Sequence, residues 1–213
     1  MSFYVEAPAS SFKPVPAGMH LARLYRFIDL GTQENKFNGE VTGYVRKVKF
    51  VWEVHGQDEE GNPLVTDKGE PMIITKDYTL SWGEKANLRK DLESWRNKPY
   101  TPEEQRRFDL KKVLNNWCML NVAHKPKKKG DGVYANVIGV TPVPAMMKSA
   151  IPEGHNPVSF FMISEPDMEL FESFSKFLKE EIMKSPEWQA LAKKPVKQEQ
   201  SSGFDDMADD IPF

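Results

Sequence analysis

The sequence predicts a mainly β protein: a small barrel of five strands with a helix between the third and fourth, then a C-terminal helical segment and an acidic tail. Three observations predict it. Apolar and polar residues alternate over residues 18–30, 42–55, 71–82, 117–124 and 133–141. The period turns helical only between the third and fourth of these stretches, and the last fifteen residues hold five acids and no base.

Along residues 18–30, His20, Ala22, Leu24, Arg26 and Ile28 fall on one side and Leu21, Arg23, Tyr25, Phe27 and Asp29 on the other. The second strand puts Val48, Phe50, Trp52 and Val54 on a core face, with Val45, Lys47, Lys49, Val51 and Glu53 opposite. Residues 56–71 are too acidic and glycine-rich to pack and read as a long hairpin loop or flexible insertion. In the third strand Lys76, Tyr78 and Trp82 share a side with Ile74 and Leu80. Leu88, Leu92 and Trp95 then recur at spacings of four and three, which predicts a helix over 84–95. Thr101, Pro102 and Glu104 supply an N-cap, a first-turn proline and a capping-box acid for a short second helix ending near Arg107.

The last two strands are joined by the basic turn KPKKKGDG, residues 125–132. Pro142, Pro144, Pro152 and Pro157 keep residues 141–163 extended, as a wrap around the body. Ser164 reads as the N-cap of a helix whose stripe Phe171, Phe174, Leu178 and Ile182 needs a partner surface. Ser185 and Pro186 restart a shorter helix with Trp188 and Leu191, closed by Pro195. The organisation expected is an arm over 1–17, the barrel over 18–141, a wrap with helices over 142–195 and a disordered acidic tail over 196–213.

Net charge is −2, but residues 199–213 contribute −5, so residues 1–198, with 29 basic and 26 acidic side chains, carry +3. A mildly basic body with an acidic tail fits a surface that meets a polyanion while the tail addresses something else or competes for that surface. A tail that only adds solubility is the alternative. The N-terminus lacks the layout of a signal peptide and no run is apolar enough for a membrane span, so no membrane role is expected. Cys118 stands alone, which excludes an internal disulfide and fits a reducing cytoplasm. The four histidines are too dispersed for a metal spacing, and no Walker loop, zinc signature or nucleophile arrangement occurs. Binding without catalysis, cofactor or metal is the expectation.

Three strands, a helix and two strands is the plan of the oligonucleotide-binding (OB) fold, a Greek-key barrel. Single-strand binding on that plan requires cations that track phosphates and rings on which bases stack. The candidates are Arg23 and Tyr25 on the first strand, Lys47 and Lys49 on the second, and Lys76, Tyr78 and Trp82 on the third. Lys125, Lys127, Lys128, Lys129 and Tyr134 add the last hairpin. Register decides which of them count. Trp52, set among Val48, Phe50 and Val54, is assigned to the core, and Cys118 is read as a packed thiol.

Residues 205–213 read DDMADDIPF, after a tether of Gln, Ser and Gly. This ending resembles the acidic tip of bacterial single-stranded DNA-binding proteins, which closes in an acidic run followed by Ile-Pro-Phe. The body resembles the single-stranded DNA-binding proteins of tailed phages in YTLSWGEKANLRKDLESWRNKPYTPEE, CMLNVAHK and KGDGVYANVIGV, across roughly two thirds of the chain. The acidic insertion near Asp58–Glu60 and the C-terminal helices depart from that pattern.

The resemblance implies a protein that coats exposed single strands in a bacterial host cytoplasm, as a monomer or small homo-oligomer. It also implies recruitment of replication, recombination or repair proteins through Asp205, Asp206, Asp209, Asp210, Ile211, Pro212 and Phe213. A strand-annealing recombination protein and a decoy that sequesters host tip-binding proteins are the rival expectations.

Overall fold

The computed structural model describes residues 13–127 and 132–193. It is mainly β, with five short helices among the described residues. Strands β1 (Gly18–Phe37), β2 (Glu40–His55), β3 (Met72–Thr79), β4 (Trp117–Pro126) and β5 (Val133–Thr141) form one antiparallel sheet in the order β3-β2-β1-β4-β5. A sixth strand, β6 (Ser159–Phe161), pairs parallel with β1 beside Arg26–Ile28, beyond the point where β4 leaves that edge at Arg23. The sheet curls until β3 and β5 approach within 8 Å, Cα to Cα. Among the described residues no hydrogen-bonded ladder joins them.

The inner wall of the curled sheet is the first core. Leu24, Phe27, Val48, Phe50, Trp52, Leu120 and Val140 meet there, and α1 (Asn87–Arg96) closes it with Leu88 and Leu92. Each large apolar side chain so buried contributes about 1.5–3 kcal/mol. The Cys118 thiol is fully buried in this core, and burial raises its pKa, as expected of a packed thiol.

A second core lies outside the sheet. Tyr25, Ile28, Leu30 and Val51 point outward from β1 and β2 and are covered by Phe161, Ile163, Phe171, Phe174 and Ile182. The apolar stripe anticipated in the C-terminal segment therefore finds its partner on the sheet. It spans two helices rather than one, because α3 (Met168–Glu172) stops at Ser173 and Ser175 caps α4 (Lys176–Met183), accepting from the Leu178 N–H. The cap of α3 is Asp167, not Ser164. Ser185 does cap α5 (Pro186–Ala192). That cap presses on the sheet itself: a Cβ on Gly31, whose φ is +68, would lie 2.5 Å from the Ser185 Cβ.

β1 and β2 outrun their expected ends because Asn38 and Gly39, at φ 51 and 91, form the two-residue turn of a long hairpin. Bulges between Leu24 and Arg26 and between Asp29 and Gly31 shift the alternation of β1 twice. Residues 56–71 are not wholly unpacked as expected, since two bridges, Gln57 with Pro63 and Val65 with Pro71, fold the loop so that Leu64 is buried in the first core. The capping box at Thr101 and Glu104 opens α2 (Pro102–Arg106) as its spacing predicts. Of the N-terminal arm, residues 13–17 are described: Val15 is buried, and the carbonyls of Val15 and Pro16 face the rings of His124 and His20.

Candidate nucleic-acid interface

Arg23 and Tyr25, expected on an open face, are both buried, at 6% and 4% exposure. The bulge at Tyr25 separates it from Phe27, which turns inward, and places it in the second core with Ile28 and Leu30. Arg23 is held by three acceptors: Glu53 Oε1 at 2.8 Å, Asn115 Oδ1 at 2.7 Å and the Asn156 carbonyl at 2.5 Å. Glu53 in turn accepts from the N–H groups of His155 and Asn156 and from Asn156 Nδ2, with the His55 ring alongside. Burial alone would raise the Glu53 carboxyl, but Arg23, Asn156 and His55 hold it down at about 2. This group ties the wrap to β2 and offers nothing to a base.

Lys76 and Tyr78 face inward as well, a second correction. Lys76 Nζ and Tyr78 Oη lie 2.6 and 2.7 Å from the same oxygen, Asp91 Oδ2 of α1. Tyr78 is 2% exposed, and burial with the adjacent Asp91 raises its phenol pKa. Trp82 lies beyond β3, half-buried against Tyr100 and Phe108 at ring separations of 5.1 and 5.3 Å. The face that alternation assigned to these three residues is the one that α1 covers.

Lys47 and Lys49 do lie on the outer face of β2, both half-buried. Lys49 pairs with Asp77 across to β3, and Lys47 Nζ approaches the Glu34 carbonyl at 3.4 Å. The charge on this face is therefore partly matched.

The β4–β5 hairpin carries its candidates in the open. Lys125 and Tyr134 are cross-strand partners, Tyr134 is 56% exposed, and Lys127 Nζ lies 5.8 Å from the Tyr134 ring centre. Lys128 and Lys129 lie outside the described residues, as do Asp205, Asp206, Asp209, Asp210, Ile211, Pro212 and Phe213.

Sequence reasoning missed a second open ring. Tyr44, 68% exposed on the β1–β2 hairpin, faces a groove of about 790 Å³ whose other wall is α4, with Phe177 82% exposed. Lys36, Lys47 and Lys184 line this groove together with Glu34, Glu180 and Glu181. The Asn38-Gly39 pair was the available signal, since it requires a hairpin there and sets residues near Tyr44 on an exposed ribbon. The two hairpins leave opposite ends of β1, the β4–β5 hairpin beside Gly18 and the β1–β2 turn beyond Phe37. Each presents one exposed tyrosine with lysines next to it.

Among the described residues no three His, Cys, Asp or Glu side chains group as metal ligands, and no helix is long and apolar enough to cross a membrane. Comparison with protein-family models gives no match, and neither does a search of curated protein sequences.

Proposed function

We propose that this chain is a sequence-tolerant single-stranded DNA-binding protein, built on an OB barrel, that coats exposed strands and recruits replication, recombination or repair proteins through residues 205–213. The observation that carries the reading is the pair of open tyrosines, Tyr44 and Tyr134, each among lysines on one of two hairpins flanking a curled sheet. The strand order β3-β2-β1-β4-β5 with β3 near β5 and a helix after β3 supports the OB assignment. Rings serve because every base has a π-face, so stacking needs no particular sequence, and ammonium groups serve because phosphates recur at every nucleotide.

The acidic segment acts in two ways on this reading. Its aspartates suit a partner pocket with a basic rim, and when no partner is present they compete with phosphates for the cations of the body. A mobility-shift titration against single-stranded and duplex DNA, with the full chain and with residues 205–213 deleted, tests both. The deletion keeps or tightens single-strand binding and abolishes partner capture. Weaker DNA binding in the deletion contradicts the competition.

A further inference from the structure

Residues 96–112 carry six basic side chains, Arg96, Lys98, Arg106, Arg107, Lys111 and Lys112, against three acids, Glu103, Glu104 and Asp109. Their balance of +3 equals that of residues 1–198, where 29 basic side chains stand against 26 acidic ones. The basic turn over residues 125–132, four lysines against Asp131, holds +3 as well; residues 96–112 form the helical cap made by the end of α1, α2 and the 3-10 turn Leu110–Val113. All six cations of the cap are exposed.

Little neutralises them. Arg96 pairs with Glu104, and Asp109 is engaged as the cap of the Lys111 N–H. Among the described residues Arg106, Arg107, Lys111 and Lys112 enter no ion pair. Arg96, Arg107 and Lys112 rim a groove of about 530 Å³ that Tyr100, Phe108, Glu103 and Glu104 also line.

We propose that this cap is a second phosphate-binding surface, over which the same single strand continues after leaving the hairpins. The inference rests on the reading of the chain as a single-strand binder. Guanidinium groups grip phosphate in a bidentate manner, and the unpaired cations from the end of α2 through the following turn, Arg106 to Lys112, suit a linear polyanion. The cap adjoins the start of β4 and the Lys125–Lys127 turn lies at its far end, so ten residues at about 3.3 Å each separate them by about 30 Å. A flexible single strand can bend between two such surfaces. Duplex DNA, with a persistence length of about 150 base pairs, bends over that distance only at a substantial energetic penalty.

The test is the full chain carrying Arg106→Glu, Arg107→Glu, Lys111→Glu and Lys112→Glu, titrated with oligonucleotides of about 8 and about 40 nucleotides across a salt series. Thermal unfolding monitors the fold. The short oligonucleotide keeps its affinity to within about twofold, while the long one binds at least about tenfold more weakly and its log-log salt slope shrinks by about 3, at about 0.7 per phosphate contact. Should the fourfold reversal unfold the protein, Arg107→Gln with Lys112→Gln reads the same effect as a slope change of about 1.4.

Unchanged long-strand affinity and slope overturn the second surface alone, as does an equal loss for both lengths. Long-strand binding that is unchanged, together with a lost response to deletion of residues 205–213, assigns the cap to the acidic segment instead and overturns the nucleic-acid contact. No binding of any strand by the unaltered protein overturns the functional reading and this inference with it.

Discussion

Arg23 Nε lies 2.8 Å from Glu53 Oε1, and neither side chain is open to water. Nothing in the alternation of β1 announces this, because an arginine between Ala22 and Leu24 reads equally as a surface cation. The pair is the clasp of the fold: Glu53 also takes the backbone N–H groups of His155 and Asn156, so the wrap is fastened to β2 by the ion pair that the wrap covers. Glu53→Ala leaves a guanidinium buried without its carboxylate and is expected to destabilise the protein by about 3–5 kcal/mol. Urea unfolding measures it, and a loss below about 1 kcal/mol contradicts the clasp.

The same carboxylate sets an acid limit. Its folded pKa of about 2 lies below the ordinary 4.5, so the folded state binds the proton less readily than the unfolded chain does. The contribution is complete above about pH 4.5 and fades as pH falls toward 2, a loss of about 3 kcal/mol by linkage. Unfolding free energies between pH 6 and pH 2.5 check this against Glu53→Gln, which should lose much of that dependence. An unaltered slope in the variant contradicts it.

Gly154 of the wrap leaves no room for a side chain beside the Arg23 guanidinium. A Cβ there would stand 1.9 Å from Arg23 Cζ, so Gly154→Ala must push the guanidinium off its acceptors. A loss of about 1–3 kcal/mol is expected, read as a lower melting temperature and faster proteolysis near residue 154. Wild-type stability in this variant would show that the wrap can shift without cost.

Tyr44 and Tyr134 are exposed and pack little, so Tyr44→Ala and Tyr134→Ala should fold normally. Each is expected to weaken single-strand binding by about 1–3 kcal/mol, the range for loss of one stacked base. Tyr25→Phe, altered inside the second core, should leave binding unchanged. Fluorescence anisotropy with a labelled oligonucleotide separates these outcomes, and equal binding by all three variants contradicts the assignment of the rings.

Much of the architecture was legible in the sequence because it depends on local pattern. The five strands, α1 with Leu88 and Leu92, the Thr101–Glu104 capping box and the Ser185 cap follow from periodicity and cap chemistry acting over a few residues. The buried Trp52 followed from its apolar neighbours. The interface was less legible because it depends on which face of each strand remains open, and that is settled by distant segments. The bulge between Leu24 and Arg26 moved Tyr25 out of phase, the wrap and C-terminal helices covered the face where it emerged, and α1 took the side of β3 bearing Lys76 and Tyr78. Lys125, Lys127 and Tyr134 are exposed among the described residues, as a polar hairpin end reads from local pattern alone.

The most direct test of single-strand coating is a titration of the full chain with a labelled, unstructured DNA strand of mixed sequence, repeated over a salt series and against the matching duplex. Submicromolar binding at low salt, strong preference for the single strand and, on a strand short enough to meet the hairpins alone, a log-log slope near −3, for about four phosphates at about 0.7 each, is the predicted result. No binding at low salt, or equal affinity for the duplex, would contradict it.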